Sequence, residues 1–323
     1  MAEILDCVLL LALPASGKSE IRRYMARLPE DECRRDFYMG PTVQLDDFPY
    51  VHAMRRIDEE LLKMGKERVF FLSGEKPFRE PKDWGTLVEM VNEDYEDLLA
   101  GKMFEPKSAA MNLFHRLDEA AKKAMTKPRL SALDTDTLAK LADNLEPEAR
   151  EMLEEKHKNH PEELQGKTIV IEFARGGPEG SAMPLPEPYG YRYSLAQLSA
   201  SILKKSSILY VWVTPEESRR KNVARTDPDD PGSILHHGVP LDVMMNDYGC
   251  DDMDWLEQNA KVPGTVTIEA WGKTFNIPVA RFDNRVDKTS FIRNDPSQWK
   301  PEEVKAIHEG LREALTKLAG FSK

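Results

Sequence analysis

The sequence Ala-Leu-Pro-Ala-Ser-Gly-Lys-Ser at residues 12–19 decides the fold, because it joins an apolar run to a helical pattern. The apolar run, residues 4–11, has the length of a buried strand, and residues 20–25 have the spacing of an amphipathic helix. A strand, a loop of small residues that ends in Gly-Lys-Ser, and a helix are the arrangement of a phosphate-binding P-loop. The sequence therefore predicts a P-loop at residues 12–19, with an ordinary strand–turn–helix as the alternative.

This loop predicts a site for ATP and Mg²⁺. Backbone N–H groups and the positive end of the helix dipole would hold phosphate oxygens. We expect Lys18 to lie exposed until a nucleotide arrives and then to reach the terminal phosphates, while the Ser19 hydroxyl binds Mg²⁺. The predicted ATP-binding residues are Pro14, Ala15, Ser16, Gly17, Lys18 and Ser19. Ala12 stands where such loops usually have glycine, so we expect backbone strain at this turn to be relieved locally.

Composition limits the classes of function that the chain can have. A chain of 323 residues can bury a large core, in one domain with an insertion or in two domains. Its net charge of −11 argues against general affinity for nucleic acid or an anionic membrane. No apolar segment is long enough to cross a bilayer, and Glu3 and Asp6 stand where a secretory signal needs positive charge. Its three cysteines are far apart, which favours a reducing, cytoplasmic setting.

Apolar runs alternate with helical patterns along the chain, which predicts an α/β fold: a parallel sheet of the P-loop kinase type, flanked by helices. The predicted strands are residues 4–11, 42–45, 168–171 and 207–213, followed by a hairpin of 265–270 and 274–282. The run at 68–72 is ambiguous and is a candidate strand of an insertion.

A long helical block separates the second predicted strand from the third. Leu87, Met90 and Val91 are among its apolar residues with helical spacing. The block is too long for a simple crossover, so we interpret residues 81–166 as a helical insertion over the carboxyl ends of the strands. The remaining chain, 1–80 and 167–323, would be the nucleotide-binding core with its lid. The insertion is expected to shape a pocket for the acceptor substrate, and a helical decoration without substrate contact is the alternative.

Carboxylates follow two of the predicted strands, where ligands of open α/β sheets bind. Asp46 and Asp47 end the second run, and Glu172 ends the third. Phosphoryl transfer to a hydroxyl needs a carboxylate that accepts the proton, and others that hold Mg²⁺. We expect Asp46 to be the base and Asp47 and Glu172 to support the metal, although Asp46 and Asp47 could exchange roles. Helix capping is the alternative for all three. Arg175 is a candidate contact to phosphate or acceptor.

A basic helix starts near residue 214. Thr214-Pro215-Glu216-Glu217 has the signature of a helix N-terminus, and a loop rich in Pro, Gly and Asp follows at 227–232. We predict that residues 219–237 form a lid that orders on ATP. The candidate catalytic cations are Arg219, Arg220, Lys221 and Arg225, with Arg225 and then Arg220 preferred. The alternative is a solvated face whose cations pair with acids such as Glu217.

Together these motifs resemble the uridine kinase, nicotinamide riboside kinase and phosphoribulokinase group of P-loop kinases. That group combines a P-loop with an Asp-(Ser/Asp)-Phe motif after the second strand, a strand that ends in Glu-Gly, and an arginine-rich lid helix. Asp46-Asp47-Phe48 matches the second motif, and Glu172 matches the third in part, because Phe173 follows it instead of glycine. The resemblance implies that Asp46 is the base at the acceptor hydroxyl and that Glu172 assists at the metal or acceptor.

The predicted function is thus a Mg²⁺-dependent transfer of phosphate from ATP to a hydroxyl of a small metabolite, such as a nucleoside or a sugar. ATP and this small-molecule acceptor are the expected partners, with no nucleic acid and no membrane. Two alternatives stay open. One is a P-loop ATPase or a nucleotide-gated binding protein. The other is a kinase of nucleotide sugars, because zeta-toxin-like kinases share the same broad layout.

Overall fold

A six-stranded sheet is built around strand β1 (Cys7–Leu11), whose residues are all buried. The structure, a computed structural model, describes residues 4–225 and 238–322. The other strands are β2 (Thr42–Asp46), β3 (Thr168–Phe173), β4 (Ser206–Trp212), β5 (Thr265–Ala270) and β6 (Lys273–Asp283). In the order β2-β3-β1-β4-β6-β5, neighbours are parallel except β5 and β6. The predicted α/β class with a mostly parallel sheet is confirmed.

Helices cover both faces of this sheet and account for most of the remaining described chain. Their bounds are α1 (Lys18–Met25), α2 (Glu30–Phe37), α3 (Phe48–Lys63), α4 (Asp83–Leu99), α5 (Ala109–Lys123), α6 (Thr135–Lys158), α7 (Gly190–Gln197), α8 (Ala200–Lys205), α9 (Pro215–Arg225), α10 (Leu241–Asn246), α11 (Met253–Gln258) and α12 (Pro301–Ala319). Side-chain caps define several of the starts, for example Ser108 before α5 and Asp134 before α6. Among the described helices, none combines the length and the apolar character that a membrane span requires.

The two C-terminal strands behave differently from the simple predicted hairpin. β5 and β6 do pair antiparallel, but β6 also continues the sheet by pairing parallel with β4. Its eleven residues are long enough to serve both neighbours. Residues 68–72 do not form a strand; they make one isolated bridge, between Phe71 and Phe78. The buried carboxylate of Asp58 accepts hydrogen bonds from the backbone N–H groups of residues 69–71, which takes the place of a neighbouring strand.

Helix α4 connects the sheet with the rest of the helical block. Val88 and Val91 pack into a cluster on one face of the sheet. Leu87 and Met90 belong to a second cluster, which also contains the apolar faces of α3, α5 and α6. Because one helix serves both clusters, the helical block is anchored to the sheet through α4. The boundaries proposed at residues 81 and 166 stay a prediction.

The connections of the sheet leave a crevice at the carboxyl end of β1. From β1 the chain goes to β2 on one side, and after β3 it crosses to β4 on the other side of β1. A strand whose neighbours connect in opposite directions marks the switch point at which open α/β sheets bind ligands. The loop 12–17 follows β1 at this position.

Candidate functional site

The loop 12–17 has two residues in the left-handed backbone region. Ala15 has a φ of 54° and Gly17 a φ of 105°. Ala12 is fully buried and does not have a positive φ, so its own backbone is not strained. The strain lies instead at Ala15, because a left-handed conformation costs a residue with a Cβ atom about 1–2 kcal/mol. The glycine usually found at position 12 is therefore not required by the backbone.

The carbonyl groups of this loop are held by the surrounding scaffold. The Ser218 hydroxyl on α9 donates to the Pro14 carbonyl at 2.7 Å, and Asn284 Nδ2 donates to the Ser16 carbonyl at 2.7 Å. At Gly17, a Cβ atom would lie 2.4 Å from Thr289 Oγ1. These contacts fix the path of the loop from outside.

Several hydrogen-bond donors of the loop have no partner within the described part of the chain. The backbone N–H groups of Ala15, Ser16 and Gly17 form no hydrogen bond there. The Ser16 hydroxyl is buried and also lacks a partner among the residues that the structure describes. Backbone N–H groups around left-handed residues, at the start of a helix, form a concave site for anions. The residues of the loop thus fit a phosphate group.

Lys18 does not lie exposed, contrary to expectation. Its side chain is about nine-tenths buried, with Nζ 3.4 Å from the Ala12 carbonyl oxygen and 4.0 Å from Glu172 Oε1. The ammonium group folds back over the loop because a carbonyl and a carboxylate compensate its charge there. Ser19, one residue later in the first turn of α1, is exposed.

Asp46 and Glu172 are brought together by the register of the sheet, in which they are direct partners on β2 and β3. Arg22, one turn after Lys18 on α1, lies beside both. Its Nη1 is 2.5 Å from Glu172 Oε2 and 4.0 Å from Asp46 Oδ2. Arg22 was not identified as a site residue from the sequence. Its position four residues after Lys18 places both side chains on one face of α1, and this spacing could have identified it.

The Asp46 carboxyl has an unusual proton affinity. A third of its side chain is exposed, but it faces a cleft, and Oδ1 accepts a hydrogen bond from the Phe48 N–H at 2.8 Å. Poor solvation in this cleft, together with the negative charges of Glu172 and Asp47, raises the pKa of Asp46 well above its ordinary value. A raised pKa makes the carboxylate form of Asp46 a stronger base, which suits a group that accepts a proton.

Asp47 points into the protein and is paired with Arg175. Asp47 Oδ2 lies 2.6 Å from Arg175 Nη1, and Arg175 Nε donates to Ser194 Oγ at 3.0 Å. The guanidinium lies against the rings of Trp84 and Phe173, at 4.8 and 5.0 Å from their centres. Burial raises the pKa of Asp47, and the charge of Arg175 opposes this shift. Asp47 is therefore the counter-charge of a buried arginine, a role that the sequence did not indicate.

A groove of about 930 Å³ opens beside Asp46 and Arg22. Its walls come from α3, α5 and α6, and the last two belong to the predicted insertion. The volume is at the upper end of the range for small-molecule sites. The groove therefore opens beside the carboxylate that was predicted as the base.

The basic helix α9 starts as expected, because Thr214 Oγ1 accepts a hydrogen bond from the Glu217 N–H. Arg220 is exposed and donates twice to Glu217, at 2.7 Å each, as in the alternative of paired surface charges. Lys221 is buried, with Nζ 2.9 Å from Asp287 Oδ1. Arg219 Nη2 lies 3.1 Å from Glu179 Oε1, and Arg219 Nη1 is buried without a hydrogen-bond partner in the described part of the chain.

The predicted lid, residues 219–237, lies mostly outside the described residues. Arg225 is the last residue of α9, and residues 226–237 lie outside the described residues. Arg220 and Arg225 therefore stay predictions as catalytic cations. Arg219 was the least preferred of the three arginines as a catalytic cation. Among the described side chains of α9, it is the arginine with a buried N–H donor, Nη1, that has no hydrogen-bond partner.

No family model matches this chain, and no curated protein matches it in sequence.

Proposed function

We propose that this protein transfers the terminal phosphate of ATP to a hydroxyl of a small molecule, with Mg²⁺ as cofactor. One observation carries the proposal. Lys18, Arg22, Asp46 and Glu172 converge where the parallel strands β1, β2 and β3 end, beside a loop whose N–H groups have no partner within the described residues. Cations for phosphate, carboxylates for a proton and a metal, and an anion-binding loop are the parts that phosphoryl transfer needs.

The triphosphate fits the loop because the unsatisfied donors point to an anion. The N–H groups of Ala15, Ser16 and Gly17 and the Ser16 hydroxyl would bind phosphate oxygens. Lys18 would exchange its contact with the Ala12 carbonyl for the terminal phosphates. Arg22 is the second cation in reach of developing negative charge.

The carboxylates also fit a divalent cation. Poor solvation, followed by the negative charges of Glu172 and Asp47, raises the pKa of Asp46, and a cation at this position would offset those charges. Ser19 and Glu172 are the residues that would hold Mg²⁺, either directly or through water. Asp47, which is buried and paired with Arg175, would support the metal through its negative charge. When bound, the metal neutralises charge on the phosphates and helps to orient them.

Asp46 supplies the proton acceptor. The acceptor hydroxyl oxygen forms a bond to the terminal phosphorus of ATP, the bond from that phosphorus to the bridging oxygen breaks, and ADP leaves. The hydroxyl proton goes to the Asp46 carboxylate, which opens onto the groove where the acceptor would lie.

Binding of a non-hydrolysable ATP analogue with Mg²⁺, followed by calorimetry, tests the nucleotide site. We expect Lys18→Ala to abolish phosphoryl transfer while circular dichroism shows an intact fold. Lys122→Ala, which removes an exposed lysine paired with Glu119, is the matched control and should behave as wild type. Wild-type turnover by Lys18→Ala would show that the P-loop assignment is wrong.

The products distinguish a kinase from an ATPase. A kinase forms ADP together with a phosphorylated acceptor, and ADP formation rises when the acceptor is added. An ATPase releases one inorganic phosphate per ADP, whatever is added. Mass spectrometry of reactions with and without a metabolite mixture separates the two, and release of inorganic phosphate alone would contradict the proposed transfer.

A further inference from the structure

Among the described residues, each lysine and arginine in the lining of the groove beside Asp46 is paired with a carboxylate. Its cationic residues are Arg22, Arg56, Arg116, Lys156 and Lys158. These side chains decide which charge a bound molecule can carry, because a ligand phosphate would need one or more of them as a counter-charge.

Two of these arginines are tightly held. Arg56 binds Glu148 through both Nε and Nη2, at 3.0 and 2.9 Å, and also contacts two carboxylates of its own helix. Arg116 is buried. Its Nη2 lies 2.6 Å from Asp94 Oδ1, and its Nε lies 3.1 Å from Glu93 Oε1. The Tyr50 hydroxyl donates to the other oxygen of Asp94, which completes this network.

Lys156 is engaged in the same way, whereas the pair that Lys158 forms is largely exposed. Lys156 Nζ lies 2.8 Å from Asp94 Oδ1 and 2.6 Å from Asp97 Oδ2, and Lys158 pairs with Glu155 at 2.6 Å. At the catalytic end, Arg22 is paired with Glu172. An anionic ligand would therefore have to displace a carboxylate and leave it without a counter-charge, which is costly where the pair is buried.

The rest of the lining is mainly apolar. Its apolar side chains include Leu45, Phe48, Ile57, Leu113, Leu145 and Met152. Burial of hydrocarbon against such a surface is favourable without any counter-charge.

We propose that the acceptor is an uncharged alcohol with a largely apolar body, which lies in this groove with its hydroxyl at Asp46. This inference rests on the proposed function, because it names the substrate class of the same site. It separates the protein from kinases of nucleotide sugars, whose substrates carry a diphosphate that would have to compete with these carboxylates for a cation of the groove.

A matched pair of acceptors tests the inference. 1,8-Octanediol is neutral, and 8-hydroxyoctyl phosphate presents the same chain and the same free hydroxyl with a negative charge at the far end. We expect kcat/KM for the diol to exceed that for the phosphate by at least about tenfold, which corresponds to about 1.4 kcal/mol. Calorimetry in the presence of a non-hydrolysable ATP analogue and Mg²⁺ should show the same preference in binding.

A groove-filling variant locates the acceptor. Asn112 lines the groove, whereas the neighbouring Met111 is exposed and is not part of the lining. Asn112→Trp should raise the KM for 1,8-octanediol at least about tenfold and leave the KM for ATP unchanged. Met111→Trp, the matched control, should change neither value.

The outcomes separate this inference from the proposed function. If the ATP analogue does not bind, the proposed function itself is wrong. If it binds, but the protein prefers 8-hydroxyoctyl phosphate or a nucleotide sugar, or binds neither acceptor, the inference about an uncharged substrate is wrong. An equal effect of Asn112→Trp and Met111→Trp would also overturn it, because the acceptor would then lie elsewhere.

Discussion

Gly17→Ala is the substitution whose effect the structure predicts most sharply. Gly17 has a φ of 105°, a backbone conformation that side-chain-bearing residues rarely adopt. An added Cβ atom would lie 2.4 Å from Thr289 Oγ1 and 2.9 Å from Asn284 Nδ2. Asn284 is the residue that holds the Ser16 carbonyl, so the new methyl group would push apart the contact that shapes the loop.

Two costs add in this variant. A residue with a Cβ atom in the left-handed region costs about 1–2 kcal/mol. Overpacking of a well-filled site costs about 1–3 kcal/mol more. We therefore expect Gly17→Ala to lower the free energy of unfolding by about 2–5 kcal/mol, and to weaken binding of an ATP analogue because the loop carbonyls are displaced.

Urea denaturation of four variants, Gly17→Ala, Gly180→Ala, Thr289→Ala and the double variant Gly17→Ala/Thr289→Ala, measures the two costs separately. Gly180→Ala is the matched control, because Gly180 has a φ of 77° and nothing lies within 4 Å of an added Cβ atom. It should show the backbone cost alone, about 1–2 kcal/mol. Thr289→Ala combined with Gly17→Ala should recover about 1 kcal/mol relative to the sum of the single variants. If Gly17→Ala costs no more than Gly180→Ala, the packing of the loop against Thr289 is not as described.

Three further substitutions separate catalytic from structural carboxylates. Asp46→Asn should lower kcat about 10²- to 10⁴-fold with little change in the affinity for an ATP analogue, and wild-type turnover would exclude Asp46 as the base. Asp47→Asn leaves Arg175 buried without its counter-charge, so urea denaturation should show a loss of about 3 kcal/mol or more; unchanged stability with a raised Mg²⁺ requirement would favour a metal role instead. Burial raises the pKa of Asp247 to about 7, so the folded protein holds this proton more tightly than the unfolded chain, and the free energy of unfolding should fall as pH rises from about 4 to 7. Asp247→Asn should remove this dependence, on the order of a few kcal/mol, and an unchanged pH profile of stability would contradict the assignment.

Much of the fold could be predicted because its signals are local. A continuous apolar run identifies each buried parallel strand, and a Gly-Lys-Ser turn after the first run marks the loop. The meeting of Asp46 and Glu172 was also predictable, because the carboxyl ends of parallel strands lie at the same edge of a sheet. The run at 68–72 was ambiguous because its backbone N–H groups bind the carboxylate of Asp58, which no strand pattern reveals.

The sequence by itself determined the α/β class, the position of the loop after β1 and the carboxylates at the strand ends, since each depends on neighbours within a few residues along the chain. Only the tertiary structure decided which charged side chains form pairs. Asp47 is paired with Arg175, which lies 128 residues away, and Arg22 with Glu172, which lies 150 residues away. Lys18 folds back over the loop because Glu172 is there to compensate its charge. Coulombic attraction depends on distance in space and on burial, neither of which can be read from the order of residues.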